Sequence, residues 1–325
     1  MPDKKTHKTS VGGQALIEGV MMRGPKGIAT AVRKPDGEIL TEYHEFKSLG
    51  AKNKFFALPL VRGVVGFIES MMIGYKCISY SAEVSGMEEI EEAEMSKFEK
   101  WLDDKLGDKL MNVIMVISSI LGFALAAFIF LFLPNLIFKG LNELTGNKVL
   151  EPFRGAIEGT LKIIIFVVYM ILISQMKDIK RVFMYHGAEH KTICCYESGK
   201  PLTVANVNQC TRFHPRCGTS FMFVMLILSI FVVTVLSIFV PESLKQQPVL
   251  WTLIKLPLIP IIMALGYEFI RYAGRHENLL VRILSAPGLW MQRITTKEPT
   301  YDIIECGIEA LKAVITDNPE DDEIK

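Results

Sequence analysis

The seven residues from Tyr185 to Lys191, Tyr-His-Gly-Ala-Glu-His-Lys, hold the clearest chemical potential in this 325-residue chain. On a helix, His186 and His190 lie four positions apart and face the same way, so both imidazoles can reach one divalent ion. Glu189 stands beside them as a proton acceptor. The same spacing also occurs on charged helix surfaces that hold no metal. A second string, His214-Pro215-Arg216-Cys217-Gly218, precedes a long apolar block. Pro215 keeps His214 extended, and Gly218 permits a sharp entry into the next helix. Neutral imidazole and thiolate are both good zinc ligands, which makes His214 and Cys217 candidates for further positions. Glu268 closes a later apolar block and is expected in the same layer, as a ligand or as a salt-bridge partner of Arg271. Cys194, eight residues after His186, shares the helix face if the helix continues, or is simply a small buried hydrophobe. A mixed nitrogen, sulfur and oxygen donor set suits a divalent transition metal, zinc by preference, better than calcium or magnesium.

The order His-x-x-Glu-His is that of the inverzincins, in which two histidines bind zinc and the glutamate activates water. Groups of this kind must be held by stiff elements, and the chain supplies apolar ones. Half of its residues are apolar and its mean hydropathy is positive. No Asp, Glu, Lys or Arg occurs over residues 110–138 or 217–240, and each run exceeds the ~20 residues that span a hydrocarbon core. Residues 163–176 and 256–267 are shorter and become long enough if Lys162, or Glu268 and Arg271, snorkel to the interface. The expectation is a mainly α polytopic membrane protein with four transmembrane helices, near 111–138, 160–176, 219–240 and 256–272. Pro257 and Pro260 should kink the last of them. Lys177, Lys180, Arg181, Lys191, Lys200, Arg212 and Arg216 crowd the connection between the second and third helices. By the positive-inside rule that connection and both termini lie in the cytoplasm.

Outside the membrane domain (111–273, with the motif-bearing loop at 177–219), residues 1–54 form a cytoplasmic segment. In it Lys34-Pro35-Asp36-Gly37 supplies a turn between extended stretches at 28–33 and 38–46, predicting a β-hairpin. Residues 55–84 are apolar except for Arg62, Glu69, Lys76 and Glu83, which recur every seventh position and form one polar stripe. That pattern predicts an amphipathic helix lying in the interface, with a fifth span as the competing reading. Residues 85–110 read as an acidic linker and 274–325 as a cytoplasmic cap. Net charge is +1 and no aromatic-basic recognition motif is present, which excludes nucleic acid as a partner. No cleavable signal peptide precedes the first apolar block. The six cysteines form no regular framework, and in a cytosolic region thiol or metal chemistry outweighs disulfides.

These residues resemble the YqhQ family of bacterial membrane proteins, a family of unknown function described as predicted metal-dependent enzymes. The resemblance is carried by the run from Gly12 to Gly24, by Tyr185 to Lys191, His214 to Phe221 and Tyr267-Glu268, and by Ala286-Pro287-Gly288-Leu289. It implies a bacterial cell membrane location and draws the N-terminal glycine-rich run into the functional region. It supplies no reaction. Two functions fit the residues. In one, Glu189 is the general base of a metal-dependent hydrolase working at the cytoplasmic membrane surface. In the other, the metal is a structural clip, and the protein docks another membrane protein such as a translocation or insertion machine. An open coordination position separates them, because catalytic zinc keeps one for water.

Overall fold

The computed structural model describes residues 8–86, 117–146, 150–276, 278–316 and 318–323. The acidic linker expected at 85–110 and the start of the first expected span lie almost wholly outside them. The chain divides into two compact units, one made of Met1–Gly86, Met170–Met225 and Met263–Lys325, the other of Met87–Tyr169 and Leu226–Ile262.

The first unit is built on a four-stranded antiparallel meander, β1 (Gly12–Leu16), β2 (Gly19–Arg23), β3 (Ile28–Arg33) and β4 (Ile39–His44), in the order β1-β2-β3-β4. The expected hairpin is its second half. Gly37 closes the turn with φ 89°, donating its N–H to Lys34 O at 2.9 Å, the left-handed conformation glycine adopts without strain. The first two strands escape a propensity reading because three of their positions are glycine. A Cβ on Gly13 would stand 2.6 Å from Met21 O, so the close approach of backbones demands the very residue that weakens the strand signal.

Strand side chains alternate between faces, and both faces are covered. Val20, Met22, Ala29 and Ala31 form one core with Tyr185, Ala188, Ile193, Ile303, Ile304 and Leu311. Leu16, Met21 and Ile28 point the other way, against Phe46, Ile73 and Cys77. Helix α1 (Val61–Val84) carries the sevenfold polar stripe and packs on the sheet's second face. Phe67, Ile68, Met71, Met72 and Tyr75 of this helix stay exposed. Among the described residues it is not one of the helices long and apolar enough to cross a membrane.

Three helices of the described chain are long and apolar enough to cross a membrane: α2 (Ile117–Leu144), α3 (Glu151–Ile173) and, within Gly218–Phe239, the segment Met222–Phe239. A fourth is counted if Pro248–Lys255 and Leu258–Ala273, bent by 43°, are one broken span. The bend falls at Pro257, as expected from a residue with no N–H to donate. In α2 a wide π-type turn at Phe128–Phe132 precedes Pro134, which removes a donor from the helical ladder in the same way.

Lys162, expected to snorkel to the interface, is instead buried in the second unit, and so is Lys255. Glu158 explains Lys255: its carboxylate takes Arg154 Nε at 2.8 Å and Lys255 Nζ at 3.2 Å, with the Trp251 indole N–H at 3.3 Å. Arg154 is held further by Asn135 Oδ1 at 2.9 Å. An apolar interior retains charge where charge is paired.

Candidate metal centre

Helix α4 (Lys177–Glu197) carries His186, Glu189 and His190 in the first unit. Its motif half, Tyr185 to Ile193, is buried apart from the partly exposed His186, because the helix Tyr301–Val314 packs on it and β1 runs alongside. Gly187 lets the chain after the helix Leu279–Thr295 cross at contact distance. A Cβ there would meet Lys297 O at 2.0 Å. Lys297 N–H donates to Phe183 O at 2.8 Å, and the crossing delivers the Thr295 carbonyl to His186 Nδ1 at 2.8 Å. On the other histidine, Nδ1 meets the Arg212 carbonyl at 2.6 Å. A carbonyl accepts only, so each ring donates from Nδ1 and leaves Nε2 to face elsewhere, the arrangement that prepares a neutral imidazole for a metal.

Cys217 completes the group. Its Sγ lies 3.2 Å from His186 Nε2, and one ligand atom from each of His186, His190 and Cys217 falls within 4.8 Å of the others. A tetrahedral zinc with bonds of roughly 2.0–2.3 Å holds its ligands roughly 3.3–3.8 Å apart, so the donors need close by no more than about 1.5 Å. The imidazole and thiolate chemistry of the set fits zinc.

His214 is near but turned away. Its ring centroid is 5.6 Å from that of His190, its backbone is clamped by the Gln292 amide at 2.8 and 2.7 Å, and its Nε2 faces Arg216 at 3.3 Å and Glu197 at 3.8 Å. Burial pushes the Glu197 carboxyl up, but His214, Arg216 and the Thr9 N–H together hold it below the usual carboxylate range. Glu268 is not brought to the group: Arg62 engages both its oxygens, at 2.7 and 2.5 Å. Arg62 sits on the sevenfold stripe of α1, so the stripe is partly an ion-pairing face, and Arg271 is not the partner. Cys194 faces Cys210, which also meets Cys195.

Glu189 is buried at 5% exposure against β1. Burial pushes its carboxyl up, opposed by His186 and by the Gly13 N–H that donates to it. A cavity of about 460 Å3 opens beside it, lined by Gly13, Ala15, His186, Glu189, His214 and Cys217 among others. The candidate centre thus brings together three donor residues, one cavity and one buried carboxylate.

Some supporting residues were not legible beforehand. Glu18, at φ 51° in the β1–β2 turn, pairs with Arg181 and accepts from the Tyr185 hydroxyl at 3.1 Å. The Thr295 and Arg212 carbonyls carry no side-chain signature. Only the resemblance signalled the N-terminal run.

Residues 58–317 match the profile of a family described as protein of unknown function (DUF1385). The chain is 34% identical over 313 residues to the uncharacterized protein YqhQ of Bacillus subtilis (strain 168), covering 94% of this chain and 92% of that one. No solved structure matches it.

Proposed function

The chain belongs to the DUF1385 family of proteins of unknown function, and from that premise we propose that it is a metal-dependent hydrolase of the bacterial cell membrane. The observation that carries this reading is the three-donor set of His186, His190 and Cys217 beside a cavity that also contains Glu189. A structural zinc is usually closed by four protein ligands, whereas a catalytic one keeps a position for water. A bound divalent ion supplies a Lewis acid that makes water a nucleophile near neutral pH. Glu189 takes the water proton, the water oxygen bonds to the substrate carbonyl carbon, the bond to the leaving group breaks, and Glu189 returns the proton to that group. The Thr295 and Arg212 carbonyls hold both rings in the required tautomer throughout.

The apolar helices support the membrane location. The excess of Lys and Arg in the connection that holds the motif supports a cytoplasmic site with both termini on that side, and α1 lying in the interface. Labelling of a single cysteine placed in 241–247 by an impermeant maleimide on intact cells supports this orientation. Labelling that requires permeabilisation overturns it.

The test of function is Glu189→Gln, which keeps size and an acceptor for the Gly13 N–H while removing the base. The expected result is retained metal and failure to restore a deletion strain. Full restoration with metal retained ends the catalytic reading and favours the second one, a structural metal in a protein that docks another membrane protein.

A further inference from the structure

β1 is an edge strand, paired on one side only. Its register ends at Leu16↔Gly19 around a two-residue turn, and the pair flanking such a turn shares its hydrogen bonds. Leu16, Gln14 and Gly12 therefore spend their N–H and C=O groups on β2. The next strand agrees: Arg33 N–H donates to Glu18 O at 2.8 Å, which assigns alternate residues of β2 to β3 and leaves Gly19, Met21 and Arg23 for β1. Gly13 and Ala15 must then aim their backbone groups away from the sheet. The Gly13 N–H does so, donating to Glu189. Among the described residues, the Gly13 carbonyl and both backbone groups of Ala15 have no hydrogen-bond partner.

An unpaired edge is ordinarily a hazard that proteins cover or charge. This one faces the cavity that holds His186, Glu189 and Cys217. Val182, Phe183, Ile193 and Met222 also line that cavity and give it apolar walls. A free strand edge recognises main chain, and apolar walls select side chains at alternate positions.

We infer that the site takes an extended polypeptide segment, which adds as a strand to the free edge of β1 at Gly13 and Ala15 and so brings one of its amides to Glu189 and the His186–Cys217 pair. The inference rests on the hydrolase reading for its chemistry but not for its binding. Small esters could use the same proton acceptor without touching the edge, so the edge specifies polypeptide.

The test separates binding from turnover. Full-length Glu189→Gln protein in detergent is titrated against a fluorescein-labelled pool of decapeptides, randomised except for a central leucine, and anisotropy is read. Saturable binding is expected, weakened about tenfold when alternate peptide amides are N-methylated, as for the loss of one or two backbone hydrogen bonds. Ala15→Pro in the same background removes one outward N–H without touching the β2 ladder, and should weaken binding similarly with metal content and melting temperature retained. Absence of saturable binding, or equal binding of the N-methylated pool, overturns the inference. Binding as expected, in a protein whose wild type cleaves no peptide, leaves the docking edge standing and removes the hydrolase reading instead.

Discussion

Gly187→Ala separates a crossing that positions the histidines from one that merely tolerates them. In an ordinary helix interior this change stabilises by roughly 0.5–1 kcal/mol, because alanine loses less backbone entropy. Here the new Cβ would lie 2.0 Å from Lys297 O, so the crossing segment must withdraw by roughly 1 Å or more in an interior packed as densely as a crystal. Two hydrogen bonds depend on its place, Lys297 N–H to Phe183 O and His186 Nδ1 to Thr295 O, both 2.8 Å. Each is worth about 1 kcal/mol, and overpacking costs a further 1–3 kcal/mol or so. Against the helix gain, the net loss should be about 2–4 kcal/mol. Denaturation in detergent micelles reads the stability, and competition with a chromogenic chelator reads zinc affinity. Because the lost carbonyl fixes the tautomer of His186, affinity should fall about 10–100-fold. Gly140→Ala, whose Cβ meets nothing within 4 Å, is the control and should be neutral or stabilising. A Gly187→Ala protein as stable as that control, or binding zinc as tightly as wild type, would refute the carbonyl clamp.

Single replacements His186→Ala, His190→Ala and Cys217→Ala should each lower zinc affinity more than about 100-fold, whereas Glu268→Gln should leave it within about threefold, since Arg62 holds that carboxylate elsewhere; equilibrium dialysis decides. Glu18→Ala should destabilise by about 1–3 kcal/mol, mainly because it strips the buried Tyr185 hydroxyl of its acceptor, while Arg181→Met should cost less than about 1 kcal/mol because that pair is half exposed; paired urea titrations compare them. Burial and the neighbouring thiols of Cys194 and Cys195 push the Cys210 thiol up to about 12, so only about one molecule in ten thousand is thiolate at pH 8. Its alkylation by iodoacetamide, followed by peptide mass spectrometry, should be about a thousandfold slower than that of an ordinary thiol and should rise about tenfold per pH unit up to pH 11.

The sequence by itself determined the local and periodic features. A run without charge, such as 217–240, is long and apolar enough for a membrane-crossing helix, and a helix satisfies its own backbone hydrogen bonds. The spacing of His186 and His190 places both rings on one face whatever surrounds them, and Pro257 must bend the helix that contains it. What tertiary structure decided is which distant groups meet. Glu268 could have joined the histidines or paired with a cation, and the choice fell to Arg62, 206 residues away. Lys255 could have reached the headgroup layer, but Glu158 holds it in the interior. The tautomer of each histidine rests on main-chain carbonyls at Thr295 and Arg212, groups that every residue possesses and no residue type reveals. The free edge of β1 is equally invisible in one dimension, since a strand's unpaired side is defined only by the neighbour it lacks. Sequence spacing dictates what a helix or strand presents, but which carbonyl or counter-ion receives it depends on long-range packing, where one residue type has many possible partners and geometry selects among them.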